Sequence, residues 1–179
     1  MITFKQFILE SNKQLKTGMF KDRDGNKRWY RNGKLHRLDG PACLWYGGGK
    51  AWYKNGIRHR LDGPAVEHAD GGKKWYTNGK LHKENKPAVE YANGDKEWYR
   101  NGKLHRLDGP AIENANGGKV WYVNNKLHRF DGPAVEWADG RKAWYVEGNK
   151  LTEDEFNAYL KQKEVKAAIS KNNQSGWEM

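Results

Sequence analysis

Five histidines, His36, His59, His82, His105 and His128, recur every 23 residues, each followed by a cation, Arg37, Arg60, Lys83, Arg106 or Arg129. Imidazole is suited to metal ligation and to proton transfer near neutral pH, so the question is whether the five converge. If each repeat contributes two strands about 4.8 Å apart, successive copies advance roughly 10 Å, whereas ligands on one zinc sit about 2.0–2.1 Å from it. The histidines therefore form a ladder, and each is expected to hydrogen-bond within its own turn, for instance to the following Asp108.

The carboxylates read the same way. Asp39, Asp62, Asp108 and Asp131 precede glycine in turns, where they bond local backbone, and the strand residues Glu67, Glu90, Glu113 and Glu136 pair across a sheet. No Ser-His-Asp arrangement, phosphate loop or metal spacing appears, and His68 stands alone off the ladder. The sequence assigns no catalytic residue, no metal ligand and no cofactor, so the expected class is a non-enzymatic protein.

The histidines belong to a repeat. Trp29-Tyr30, Trp52-Tyr53, Trp75-Tyr76, Trp98-Tyr99, Trp121-Tyr122 and Trp144-Tyr145 share the same spacing, and the five prolines, Pro41, Pro64, Pro87, Pro110 and Pro133, hold one position in the unit. Each unit carries an Asp-Gly or Asn-Gly hairpin signal, at Asp70-Gly71, Asn93-Gly94, Asn116-Gly117 and Asp139-Gly140; Gly47-Gly48-Gly49 replaces it in the first. A two-residue loop there would set Val135 opposite Trp144 and Ala134 opposite Tyr145. One face would then carry the six tryptophans with Cys43, Val66, Val89, Ile112 and Val135 as a core, and the other the six tyrosines, the alanines and the glutamates. The stretch from Asn-Gly to Asp-Gly-Pro reads as a tight connection, its leucines, such as Leu104 and Leu107, folding back over the Trp face.

The chain is mainly β by this reading: an elongated array over residues 21–150, a single twisted sheet of 23-residue hairpins. An N-terminal amphipathic or targeting segment occupies residues 1–20, with a short helix. Thr152 to Glu155 forms a capping box opening a C-terminal helix over 151–170, which covers the last hairpin. Residues 171–179 read as a disordered tail. Only 29 of the 179 residues are Leu, Ile, Val or Phe, so 9 Trp and 9 Tyr must supply much of the buried area. No apolar stretch approaches the ~20 residues that cross a bilayer, no secretory leader is evident, and the lone Cys43 suits a reducing compartment.

The period, the aromatic pair and the Asn-Gly-Lys-x-His step, as in Trp98-Tyr99-Arg100-Asn101-Gly102-Lys103-Leu104-His105, resemble the MORN repeat family in its variant form, over Asp24 to Tyr145. The resemblance implies the twisted hairpin array. The usual glycine after the histidine is Arg or Lys here and Asp-Gly-Pro-Ala is an addition, so the family's phosphoinositide association is not carried over. A second resemblance is shorter. Met1-Ile2-Thr3-Phe4-Lys5-Gln6-Phe7-Ile8-Leu9-Glu10 is similar to the head-targeting peptide of internal head proteins of T-even-like phages. It implies packaging, cleavage after Glu10 and ejection with the DNA, hence the phage head interior and then the host cytoplasm. The alternative reading of this segment is a helix capping the first hairpin through Phe4, Phe7 and Ile8.

Charge points to binding. From Lys21 to Lys150, 26 basic residues face 16 acidic ones. The residues assigned to a partner are Tyr30, Tyr53, Tyr76, Tyr99, Tyr122 and Tyr145 with Lys34, Lys80, Lys103, Arg37, Arg60, Arg106 and Arg129; the tryptophans (Trp29, Trp52, Trp75, Trp98, Trp121, Trp144) and the ladder histidines are structural. The partner expected is a host or phage protein, as for an inhibitor of host defence. Nucleic acid or anionic lipid is the alternative, and an antitoxin-like or small-ligand-sponge role a further one. The open sheet edge leaves room for a dimer.

Overall fold

The computed structural model describes residues 16–175, so the expected N-terminal helix and the cleavage position after Glu10 lie outside the described residues. The chain is mainly β, built from antiparallel hairpins, and ends in one helix, α1, Glu153–Ser175. It divides into two compact units, with the boundary in the chain between Lys103 and Leu104.

In the first unit, strand Gly18–Lys21 pairs with Lys27–Arg31, so the array begins inside the segment assigned above to a leader. The ladder then runs through Cys43–Leu44, Lys50–Ala51, Val66–Glu67, Lys73–Lys74, Val89–Glu90 and Lys96–Glu97. In the second it runs Ile112–Glu113, Lys119–Val120, Val135–Glu136, Lys142–Val146 and Asn149–Leu151. Neither path returns to its start, so neither unit closes a barrel.

These rungs turn at the Asx-Gly pairs, but by a three-residue loop. His68 N–H donates to the Gly72 carbonyl at 2.8 Å and Gly71 N–H to the His68 carbonyl at 3.1 Å. Only the glycine takes the left-handed region, φ 96° at Gly71 and 85° at Gly140. This is a type I turn closed by a left-handed residue, one residue longer than the expected loop. Val135 therefore faces Ala143 instead of Trp144, and Val66 faces Lys74. A one-residue slip moves every side chain to the other face. The expected pairing of tryptophan with valine is thus reversed: Tyr53, Tyr76 and Leu35 pack on the buried Cys43, Ala51 and Val66. On the other face Trp52 N–H donates to the Ala65 carbonyl, and Ala42, Ala65, Ala88, Ala111 and Ala134 are fully buried.

A second correction concerns the supposed connection, which contains a second hairpin. After each Trp-Tyr the chain turns at a left-handed pair, Asn-Gly in the first four, Asn124-Asn125 in the fifth and Glu147-Gly148 in the last, with φ 49° at Asn78 and 78° at Gly79. Tyr76 then faces Leu81, and Thr77 faces Lys80. Both turn residues are left-handed, the geometry of a two-residue loop. These arms bond to one another, Gly56 N–H to the Leu35 carbonyl at 2.7 Å and Gly79 N–H to the Arg58 carbonyl at 2.9 Å. Where a leucine follows the cation it does not fold back: Leu38, Leu61 and Leu107 are 74–81% exposed, while Leu104 is half-buried.

Helix α1 starts at the expected capping box. Thr152 N–H donates to Glu155 Oε2 at 2.7 Å, and Glu155 N–H to Thr152 Oγ1 at 3.2 Å. Phe156 is buried and Tyr159 stacks on Phe130, with ring centroids 6.2 Å apart. The helix continues to Ser175, beyond its expected end and into the expected tail. The buried alanines leave no volume for a longer side chain. Ala88→Leu should cost about 1–3 kcal/mol from overpacking, measured by urea unfolding; an unchanged midpoint would show that this face is not packed.

Candidate binding surface

The cation after each histidine lies on the Trp face because the register puts indole, glutamate and cation there together. Arg60 Cζ sits 4.0 Å from the Trp52 ring centroid, while its nitrogens reach Asp62 Oδ1 at 3.0 Å, the Pro64 carbonyl at 3.2 Å and Glu67 Oε1 at 3.1 Å. Arg129 repeats this set on Trp121, Asp131, Pro133 and Glu136, and Arg106 repeats the polar part on Asp108, Pro110 and Glu113. Arg37 stacks on Trp29 and bonds Asp39, and Leu44 stands where the others have glutamate. At Arg60 and Arg129 the guanidinium thus satisfies its fork with acceptors while lying on an aromatic face, which offsets the loss of solvent.

The clamp explains a glycine. A Cβ at Gly63 would stand 2.8 Å from Arg60 Cζ, and one at Gly109 2.9 Å from Arg106 Cζ. One repeat tests this internally. It has Lys83 in place of arginine, with Nζ 3.4 Å from the Trp75 ring centroid, and Lys86 stands where its neighbours have glycine. The slimmer ammonium leaves room for the side chain.

The histidines do not bond within their own turns, as expected, but reach the next repeat. The Nδ1 atoms of His59, His82 and His105 accept the backbone N–H of Asn78, Asn101 and Asn124 at 3.2–3.3 Å, and His128 accepts from Glu147 at 3.0 Å. His36 Nδ1 lies 3.1 Å from Asn55 N. An accepting Nδ1 leaves the ring proton on Nε2. Among the described residues no group of three His, Cys, Asp or Glu side chains is arranged to hold a metal ion.

The tyrosines are half-buried. Burial raises the phenol of Tyr30; for Tyr99 burial and then the neighbouring Glu97 carboxylate raise it, so both rings stay neutral. Tyr53 Oη accepts from Arg58 Nε at 3.0 Å. Burial also raises the thiol of Cys43. The surface aromatics lie at the rung turns: Tyr46 is 85% exposed, and Trp45, Tyr91 and Trp137 are near 40%.

Charge separates by position. Along the rungs lysine and glutamate alternate directly opposite one another, Lys50, Glu67, Lys73, Glu90 and Lys96 in the first unit and Glu113, Lys119, Glu136 and Lys142 in the second. Arg37, Arg60, Arg106 and Arg129 are occupied by the clamps. The residues flanking the arm turns remain: Arg31, Lys34, Lys54, Lys80, Arg100 and Lys103 in the first unit and Lys126 in the second. All are exposed, and none makes an ion pair among the described residues. Of the expected partner residues the structure thus brings Lys34, Lys80 and Lys103 together on one arm edge. It sets the tyrosines and arginines apart from that edge, within the packing. Arg31, Lys54, Arg100 and Lys126 were missed, although the Asn-Gly pair beside each (Asn-Asn beside Lys126) was signal enough.

Compared with protein-family models and with curated proteins, the chain finds no match. The hairpin repeats are compatible with a MORN-like fold.

Two outcomes follow from the clamp. Gly63→Ala should destabilise the protein by about 1–2 kcal/mol, and most of that penalty should vanish in an Arg60→Lys background; additive losses would refute the steric account. Second, hydrogen bonds from arginine hold the carboxyls of Asp39, Asp62 and Asp108 below their usual range. A group depressed in the folded state stabilises above its unfolded value, about 3.9 for Asp, and that contribution fades as pH falls through the folded one. The urea midpoint should drop below about pH 4, and Asp62→Asn with Asp108→Asn should flatten the drop. If the double variant keeps the full slope, the pairs do not contribute.

Proposed function

We propose that the protein is a non-catalytic binding protein whose repeats present a row of cations to an acidic macromolecule. The carrying observation is the segregation of charge. Rung lysines are matched by glutamates and clamp arginines by carboxylates, so the net charge of +11 is left to a large extent on the arm turns. Every residue beside the arm turns of the first unit is basic or neutral: Arg31 and Lys34, Lys54 and Ile57, Thr77 and Lys80, Arg100 and Lys103. A surface of one sign attracts its opposite over a distance of about 10 Å at 0.1 M salt.

The likeness of Met1 to Glu10 to a head-targeting peptide supports a phage setting, in which the row would meet a host or phage macromolecule after entry. A virion-purified chain beginning at Ser11 is the mass that fits this setting; one retaining Met1 removes it.

Charge-matched variants test the surface. Lys80→Gln with Lys103→Gln, on the arms, should elute from immobilised heparin at distinctly lower salt than the parent chain. Lys50→Gln with Lys73→Gln, on the rungs, removes the same charge and should shift elution much less. Equal shifts would mean that only net charge matters, and the reading fails.

A further inference from the structure

We infer that the arm edge of the first unit binds the sugar-phosphate backbone of duplex nucleic acid, without reading sequence; this rests on the arm edge being the binding surface. The geometry is a row and not a pocket. The stem of Lys34 lies along the next arm's turn, its Cβ to Cδ 3.6–3.9 Å from where a Cβ on Gly56 would be, and Lys80 lies on Gly102 at 3.6–4.0 Å. Ile57 occupies the same place against Gly79 at 3.0 Å. In these three arms the side chain that follows the turn is thus laid over the glycine of the following arm, so the arms and the cations beside them succeed one another along the stack. With two strands per repeat, four arms extend roughly 30 Å. Duplex DNA carries one charge per about 1.7 Å of axis, so such a row meets phosphates at any register.

The composition of the edge argues against a protein as the partner. Specific protein interfaces centre on aromatic or aliphatic anchors with charge at the rim. The arm turns offer one aliphatic residue, Ile57, among six cations and no carboxylate. Nucleic-acid interfaces are polar and strongly basic, which is the composition found.

The placement of the aromatics argues for backbone contact over base contact. Stacking on unpaired bases needs exposed rings beside the cations. Trp45, Tyr46 and Tyr91 are at the rung turns, and residues 50–54 show what separates the two edges: the segment leaves a rung turn at Lys50 and enters an arm turn after Lys54. Rings and cations therefore lie at opposite ends of the same strand segment. The arm tyrosines, Tyr53 and Tyr76, are packed on the core. Contacts from lysine and arginine to phosphate give affinity and no sequence choice.

The test uses the full chain with two unrelated 24-base-pair DNA duplexes and, separately, poly-glutamate, followed by fluorescence anisotropy across a salt series. Both duplexes should bind equally. Their log-affinity should fall with log salt at about 0.9 per phosphate contacted, up to about 5 for six cations. Lys34→Gln with Lys80→Gln and Lys103→Gln keeps most of each stem and should reduce that slope by roughly 3, with thermal unfolding run in parallel to confirm folding. Lys50→Gln with Lys73→Gln provides a second, rung-based variant whose slope should stay close to the parent's. Binding to poly-glutamate but to neither duplex overturns the nucleic-acid inference and leaves the acidic-partner reading standing. Failure to bind either polyanion overturns both. Duplex binding with an unchanged slope in the folded arm variant overturns the location, and strong preference for one duplex overturns the backbone mode.

Discussion

Because side chains alternate along a strand, the three-residue loop at each Asx-Gly sends valine and tryptophan to opposite faces. A cation such as Arg60, following its histidine, then finds an indole, a proline carbonyl and a carboxylate on one side. The clamp follows from that placement. The guanidinium covers the indole, and the carboxylates occupy the fork. On the reverse face the tyrosine ring closes over small apolar residues. A sheet with so little aliphatic volume remains packed because rings and long stems do the covering.

Repeats are joined by backbone as much as by side chains. The arm glycine donates to the preceding arm, the histidine nitrogen accepts from the next arm's first turn residue, and the backbone N–H of the clamp cation donates to the next arm's tyrosine carbonyl, as Arg60 does to Tyr76 at 3.3 Å. Each contact spans fewer than 23 residues. The array is therefore assembled from local closures, which lowers the loop entropy lost at each step.

The architecture was legible in the sequence because period, turn residues and capping box are local signals: Trp-Tyr spacing gave the unit, Asn-Gly and Asp-Gly gave hairpins, and Thr152 with Glu155 gave the start of α1. The faces were not, since loop length decides them and Asp-Gly serves both two- and three-residue loops. The arm hairpin was signalled by Asn78-Gly79, yet two strand residues on each side are too few to show alternation. For the surface, Lys34, Lys80 and Lys103 were visible as turn residues. The commitment of Arg37, Arg60, Arg106 and Arg129 to indoles was invisible, because stacking partners eight residues apart in a β-repeat follow no helical or strand period.

The repeat with Lys83 and Lys86 also bears on how such a chain can change over generations. Arginine with glycine and lysine with a longer residue are two self-consistent settings of one clamp, and exchanging a single member mixes them. The backbone bonds between repeats recur from junction to junction, so a whole copy brings its own joints with it, whereas drift inside a copy is tied to pairs. Length is thus the freely adjustable trait of this molecule, and with it the number of cations on display.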